Sequence, residues 1–212
     1  MANLTARSDA MRVPVSERQA VLDELVLQTG GYPEEELNGV LWIESGWDPS
    51  VTNPASGATG LIQFMPFVLR RWGMSRNQVR QMSAAQQAPL VGRFFREANV
   101  FGKYKVPGDT YLAVAAPSFV GRADSAVVYK RGSKAWRQNK AWRPPGGGDI
   151  TAGSIRRVLL NWLAHKPSRI ENDGPPNPPR AARPTPFRPL GLGWGLVVLA
   201  AVALATDNRR RR

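Results

Sequence analysis

Residues 41–66 read Leu41-Trp-Ile-Glu44-Ser45-Gly-Trp-Asp48-Pro-Ser-Val-Thr-Asn-Pro-Ala-Ser-Gly-Ala-Thr-Gly60-Leu-Ile-Gln63-Phe-Met65-Pro66. The first five residues finish a helix. Pro33 opens it, and Glu34, Glu35 and Glu36 fill its first turn, where the helix dipole favours carboxylates. Leu37, Val40, Leu41 and Glu44 follow at helical spacing. Glu44 therefore stands near the C-terminal end, beside the apolar face. Burial there raises the pKa of a carboxylic acid, as a general acid requires. Gly46 to Gly60 is rich in Ser, Thr, Asn, Pro and Gly and reads as a loop. Leu61 to Trp72 is expected to begin another helix after a tight glycine turn.

The rest of the composition narrows the chemistry. The chain of 212 residues has no cysteine and one histidine, His165. There is no thiol nucleophile, no disulfide framework and no cysteine metal site. Zinc hydrolases usually draw on two or three His ligands, so a single histidine argues against that class and no metal or other cofactor is expected. No nucleophile elbow accompanies His165. Carboxylate chemistry is what remains for an enzyme.

Charge is unevenly spread. Residues 1–69 carry a net charge of −6, residues 70–165 +13 and residues 166–212 +6. A basic surface attracts polyanions, whether nucleic acid, anionic lipid or an acidic cell-wall polymer. Charge alone does not choose among them.

Outward from the central stretch, Val15 to Thr29 reads as a helix with Val21, Leu22, Leu25 and Val26 at helical spacing, ended by Gly30-Gly31. Ala84 to Ala98 is a helix with Leu90, Val91, Phe94 and Phe95 on its apolar side. Thr110 to Ala116 is a short apolar run that the helical context assigns to a helix. Ser154 to His165 is an amphipathic helix with Ile155, Val158, Leu159 and Trp162 inward. Residues 167–189 hold eight prolines and almost no apolar side chain, the signature of an extended linker.

Two segments of the central stretch resemble the lytic-transglycosylase (SLT-like) family of the lysozyme superfamily. One is Glu44-Ser45 at a helix end. The other is Gly60-Leu61-Ile62-Gln63-Phe64-Met65-Pro66, which has Ile where the family pattern carries its first Met. The resemblance extends over about residues 15–165 and implies a mainly α, lysozyme-like helical domain. It also implies roles. Glu44 would protonate the β-1,4 glycosidic oxygen between N-acetylmuramic acid and N-acetylglucosamine, then act as base while the muramoyl 6-hydroxyl attacks the anomeric carbon. That route yields a 1,6-anhydro end and needs no second carboxylate, whereas most glycosidases use a pair. Ser45, Gln63 and Met65 would bind substrate. Asp48 is the nearest other acid in sequence and reads as a turn or capping residue. Trp42 reads as core, and Trp47 as core or sugar platform.

The family's third motif, an Ala-Tyr-Asn-Ala-Gly segment whose Tyr helps to hold the acid, is altered. The corresponding stretch is Tyr111 to Gly121, with Ala116-Pro117 where Tyr-Asn would lie. Tyr111, a helical turn or more earlier, is the candidate substitute. The segment from Tyr111 onward, including Gly121-Arg-Ala-Asp and Tyr129-Lys-Arg-Gly, is similar to bacteriophage-encoded members.

The chain is thus expected to comprise a loose N-terminus (1–14), the helical domain (15–166), the Pro-rich linker (167–189), a hydrophobic C-terminal helix (190–206) and a basic tail (207–212). Residues 190–205 are apolar throughout but slightly short of the roughly 20 that span a bilayer. Trp194 at one end and Arg209–Arg212 at the other resemble interfacial anchors, with a cytoplasmic C-terminus. Residues 1–20 lack the apolar run of a secretory signal. A virion-associated or membrane-anchored enzyme, its catalytic domain facing periplasmic peptidoglycan and acting during genome entry, reconciles these features. A hydrolytic muramidase of the same fold and a non-catalytic virion or membrane component are the alternatives. Nucleic acid is not expected as a specific ligand.

Overall fold

The computed structural model describes residues 13–165. The fold is mainly helical. Helix α1 is Val15–Thr29, α2 is Glu34–Ser45, α3 is Pro66–Arg71, α4 is Arg76–Gln81 and α5 is Ala84–Glu97. Helix α6 is Asp109–Ala115, followed by a 3-10 turn at Pro117–Phe119. A two-stranded antiparallel ribbon, β1 (Val127–Tyr129) and β2 (Ile150–Thr151), encloses the short helix α7 (Lys134–Gln138) and a 3-10 turn at Lys140–Trp142. Helix α8 is Ala152–His165.

Each helix end has a local cause. Gly30 stops α1 in the left-handed conformation at φ 82°, which glycine adopts without steric cost. Ser75 with Gln78, and Ser83 with Gln86, form reciprocal capping boxes that start α4 and α5. Thr151 and Ser154 exchange similar bonds, each backbone N–H donating to the other's hydroxyl, at 2.9 and 3.2 Å. That pairing starts α8 at Ala152, two residues before the boundary expected from periodicity.

Helices α1 and α5 pack against each other, while α2 lies against α1, α6 and α8. Leu25, Leu41, Phe95, Tyr111, Leu112, Ile155 and Leu159 are fully buried in the core these helices share. Each such side chain contributes about 1.5–3 kcal/mol through burial. Helix α2 is therefore enclosed on several sides, and Glu44 lies in its last turn.

The expected helix from Leu61 does not form. Gly60, at φ 84°, and Gln63, at φ 55°, bend the chain into a tight turn, with the Gln63 N–H donating to Gly60 O at 3.1 Å. Phe64 then exchanges both backbone bonds with Thr59, and Thr52 bridges Thr59 from the other side. Helix α3 begins only at Pro66, which suits the first helical position because it has no N–H to leave unpaired. The apolar spacing of residues 61–72 is shared between a turn and a helix. Among the described residues no helix is long and apolar enough to cross a membrane. The linker at 167–189, the apolar segment at 190–206 and the basic tail lie outside the described residues.

Candidate active site

Glu44 is 5% exposed. Two consecutive residues with positive φ, Gly46 at 60° and Trp47 at 65°, turn the chain sharply after it. Trp47 then folds back fully buried, its indole N–H donating to Asn38 Oδ1 at 2.9 Å. The Trp47 carbonyl accepts from the Val13 N–H at 3.0 Å. Trp47 is thus part of the core and closes the end of α2. Trp42 is half-buried, and the Arg18 guanidinium lies over both indoles, at 5.0 and 5.3 Å.

Burial pushes the Glu44 carboxyl from 4.5 up to about 8, against the downward pull of a hydrogen bond from Tyr111. Its Oε1 is buried and has no hydrogen-bond partner among the described residues. An acid that is protonated near neutrality is equipped to donate a proton.

Tyr111 comes from α6 and is fully buried. Burial and the charge of Glu44 both push its own pKa well above the usual value, so it remains a hydroxyl donor. Its oxygen accepts a 3.4 Å hydrogen bond from the indole N–H of Trp142. Nothing near residue 142 in the sequence signalled this contact, which joins positions 31 apart.

The other residues expected at the site are placed differently. The Ser45 hydroxyl donates to Leu41 O at 3.0 Å and is turned into its own helix. Gln63 is half-buried and its amide donates to Gly60 O at 3.0 Å. Met65 is buried beside Gln63 in a small hollow that Phe94 and Val114 also line. Val114 is one turn beyond Tyr111, so this hollow adjoins the helix that carries the tyrosine. Asp48 Oδ1 accepts from the Ser50 N–H and hydroxyl, at 2.8 and 2.7 Å, which makes it a turn residue. Among the described residues no group of three or more His, Asp or Glu side chains is arranged to hold a metal.

The loop is tied down by Gln87, a buried amide on α5. Its Oε1 accepts from the Leu61 N–H at 2.9 Å, and its Nε2 donates to Pro49 O and Val79 O at 2.7 and 2.9 Å. Sequence reading passed over this residue. A glutamine one turn before Val91, on the apolar side of the helix, was the available signal.

A mainly helical domain with a buried acid in the last turn of one helix, held protonated near neutrality beside a tyrosine from another, suits acid-dependent bond cleavage. Residues 26–89 match the family described as Transglycosylase SLT domain. The matched region, under a third of the chain, contains Glu44-Ser45 and the whole Gly60–Pro66 segment and ends before Tyr111 and Trp142. It supports a peptidoglycan-cleaving function of the lytic-transglycosylase type. No curated protein and no solved structure matches the chain.

Proposed function

We propose that the chain cleaves the β-1,4 bond between N-acetylmuramic acid and N-acetylglucosamine by transglycosylation. The observation that carries this reading is Glu44 itself: a buried acid raised to about 8, lying within the family match. Glu44 gives its proton to the glycosidic oxygen as that bond breaks. It then takes the proton of the muramoyl 6-hydroxyl as that oxygen bonds to the anomeric carbon. The net result is one broken glycosidic bond and one 1,6-anhydro ring, without uptake of water.

Among the described residues no carboxylate adds to the rise of the Glu44 carboxyl, which favours this route over a two-acid hydrolysis. Retaining glycosidases set their carboxyls about 5 Å apart. An acid that close would add its own push on the Glu44 proton, whereas burial is the cause that raises it. Asp48, the neighbour in sequence, is committed to Ser50. The net charge of +13 over residues 70–165 supports retention of the anionic wall.

Purified peptidoglycan digested by the full chain decides the matter. Anhydro-muropeptides are expected, and Glu44→Gln abolishes their release. Products heavier by one water would make the chain a hydrolytic muramidase. Equal release by Glu44→Gln would leave the acid without a catalytic role. The setting we propose, a virion or membrane with the domain facing the periplasmic wall, rests on the sequence of residues 190–212. Detection of the chain in purified phage particles or in a membrane fraction would support it, and recovery solely as a free protein would overturn it.

A further inference from the structure

We propose that Trp142 is a positioning residue for the acid, acting by fixing the direction in which the Tyr111 hydroxyl points. The inference rests on the reading of Glu44 as the proton donor. Trp142 is 2% exposed and sits in the 3-10 turn at Lys140–Trp142, far along the chain from both partners. Its indole N–H donates to Tyr111 Oη at 3.4 Å. The two rings meet edge to face at 6.4 Å, and Tyr129 of β1 stacks nearly parallel to the indole at the same separation.

An indole nitrogen can only donate, and a phenol has one proton and a rotatable O–H. Where Trp142 donates, the Tyr111 oxygen must accept, so its own proton is directed elsewhere. The Glu44 carboxyl receives it. The relay Trp142 to Tyr111 to Glu44 therefore sets how well the Tyr111 hydroxyl is aimed at the acid.

Besides burial, the Tyr111 hydroxyl is what shifts the Glu44 carboxyl. From α6, Tyr111 reaches the carboxyl, while Asp109 is committed to Arg156 of α8 at 2.8 Å. From α1, Arg18 lies over the Trp42 and Trp47 rings. Helix α8 meets α2 at Gly39 through Leu159 and Trp162, which are apolar contacts.

Trp142→Phe in the full chain tests the idea, because phenylalanine keeps a ring against Tyr111 and Tyr129 and lacks the N–H. The Glu44 carboxyl is titrated by NMR with 13C-labelled glutamate, and turnover of peptidoglycan is measured beside it. Loss of the indole donor leaves Tyr111 a poorer donor, so the Glu44 midpoint should rise. Turnover should fall about tenfold, the worth of one hydrogen bond, with KM unchanged. In a Tyr111→Phe background the same substitution should change neither quantity, since its route to Glu44 is already cut.

A folded Trp142→Phe with wild-type midpoint and turnover would overturn the proposal, as would an equal loss with and without the Tyr111 hydroxyl. Should phenylalanine fail to fill the site, as a thermal melt would reveal, benzothienylalanine at position 142 preserves the bicyclic shape without the N–H and gives the same readouts. If the wild-type chain releases no muropeptide at all, the catalytic reading fails. The carboxyl titration still decides whether Trp142 acts on Glu44.

Discussion

The Thr110 hydroxyl donates a 2.6 Å hydrogen bond to Glu36 Oε2, joining the start of α6 to the first turn of α2. The same carboxylate accepts from the Gly108 N–H at 2.9 Å and from the Tyr104 hydroxyl at 3.0 Å, both on Oε1. Glu36 and Glu44 are eight residues apart on one helix, about 12 Å along its axis. Thr110 and Tyr111 are neighbours on the other. The Glu36 contacts therefore register α6 against α2 at one end, and Tyr111 meets Glu44 at the other. The buried Arg156–Asp109 pair holds α6 to α8 from behind.

This clamp predicts the first mutant. Glu36→Ala leaves the Gly108 N–H and the Thr110 hydroxyl buried without their acceptor. A loss of about 2–4 kcal/mol is expected, since orphaned buried donors cost far more than a surface contact. Urea melts would show the loss. Activity per folded molecule should fall as well, because Tyr111 is no longer held in register. Full activity in the folded fraction would mean that the clamp serves stability alone.

A second prediction concerns the loop that carries Gln63 and Met65. Gln87→Leu is close in volume to the native residue but removes an acceptor from the Leu61 N–H and donors from Pro49 O and Val79 O. We expect a loss of about 2–4 kcal/mol. Hydrogen exchange should quicken at residues 49–65 before it does so in α1 or α5. Uniform exchange across the domain would show that the loop is not held locally by this amide.

A third prediction tests the packing of α1 on α5. A Cβ on Gly92 would lie 2.9 Å from the Gln28 backbone carbonyl and 3.0 Å from its Cβ. Alanine normally improves a helix by about 1 kcal/mol over glycine. Here the helices would have to separate, and overpacking of this kind costs about 1–3 kcal/mol. Gly92→Ala should therefore lower the melting temperature while leaving the site chemistry intact. A raised melting temperature would show that the two helices part easily.

What the sequence disclosed and what it concealed follow from the range of the interactions. Helices α1, α2 and α5 announce themselves because apolar period, glycine stops and acidic first turns are local signals. Glu44 was legible for the same reason: its place in α2 and its distance from the Gly60–Pro66 segment are properties of a short stretch. The turn at Gly60–Gln63 was misread because its stabilising bonds come from Thr59, Val51 and Gln87, not from helical neighbours. The β1–β2 ribbon and the Trp142 contact join residues more than 20 apart, in a basic, Gly- and Pro-containing stretch with little periodicity. Tyr111 lay between these cases. Its candidacy came from the altered third motif, but its geometry required the fold of α6 onto α2.

The fourth prediction follows from the proton on Glu44. Its carboxyl ionises near 4.5 in the unfolded chain and at about 8 in the fold. Between those values the folded state binds more protons than the unfolded state. Stability contributed by this residue therefore falls as pH rises from 4.5 to 8 and is constant above that. A tenfold change in proton affinity is worth about 1.4 kcal/mol, so the total across the window is on the order of a few kcal/mol. Glu44→Gln cannot ionise. Its stability relative to wild type should be pH-independent below about 4.5, should widen in its favour up to about pH 8 and then level off, as read from denaturant melts across the range. Wild-type activity should fall over the upper end of the same window, as the general acid loses the proton it donates. A stability gap that stays flat from pH 4 to pH 9 would mean that Glu44 is not held neutral by burial, and the case for it as the acid would lose its physical basis.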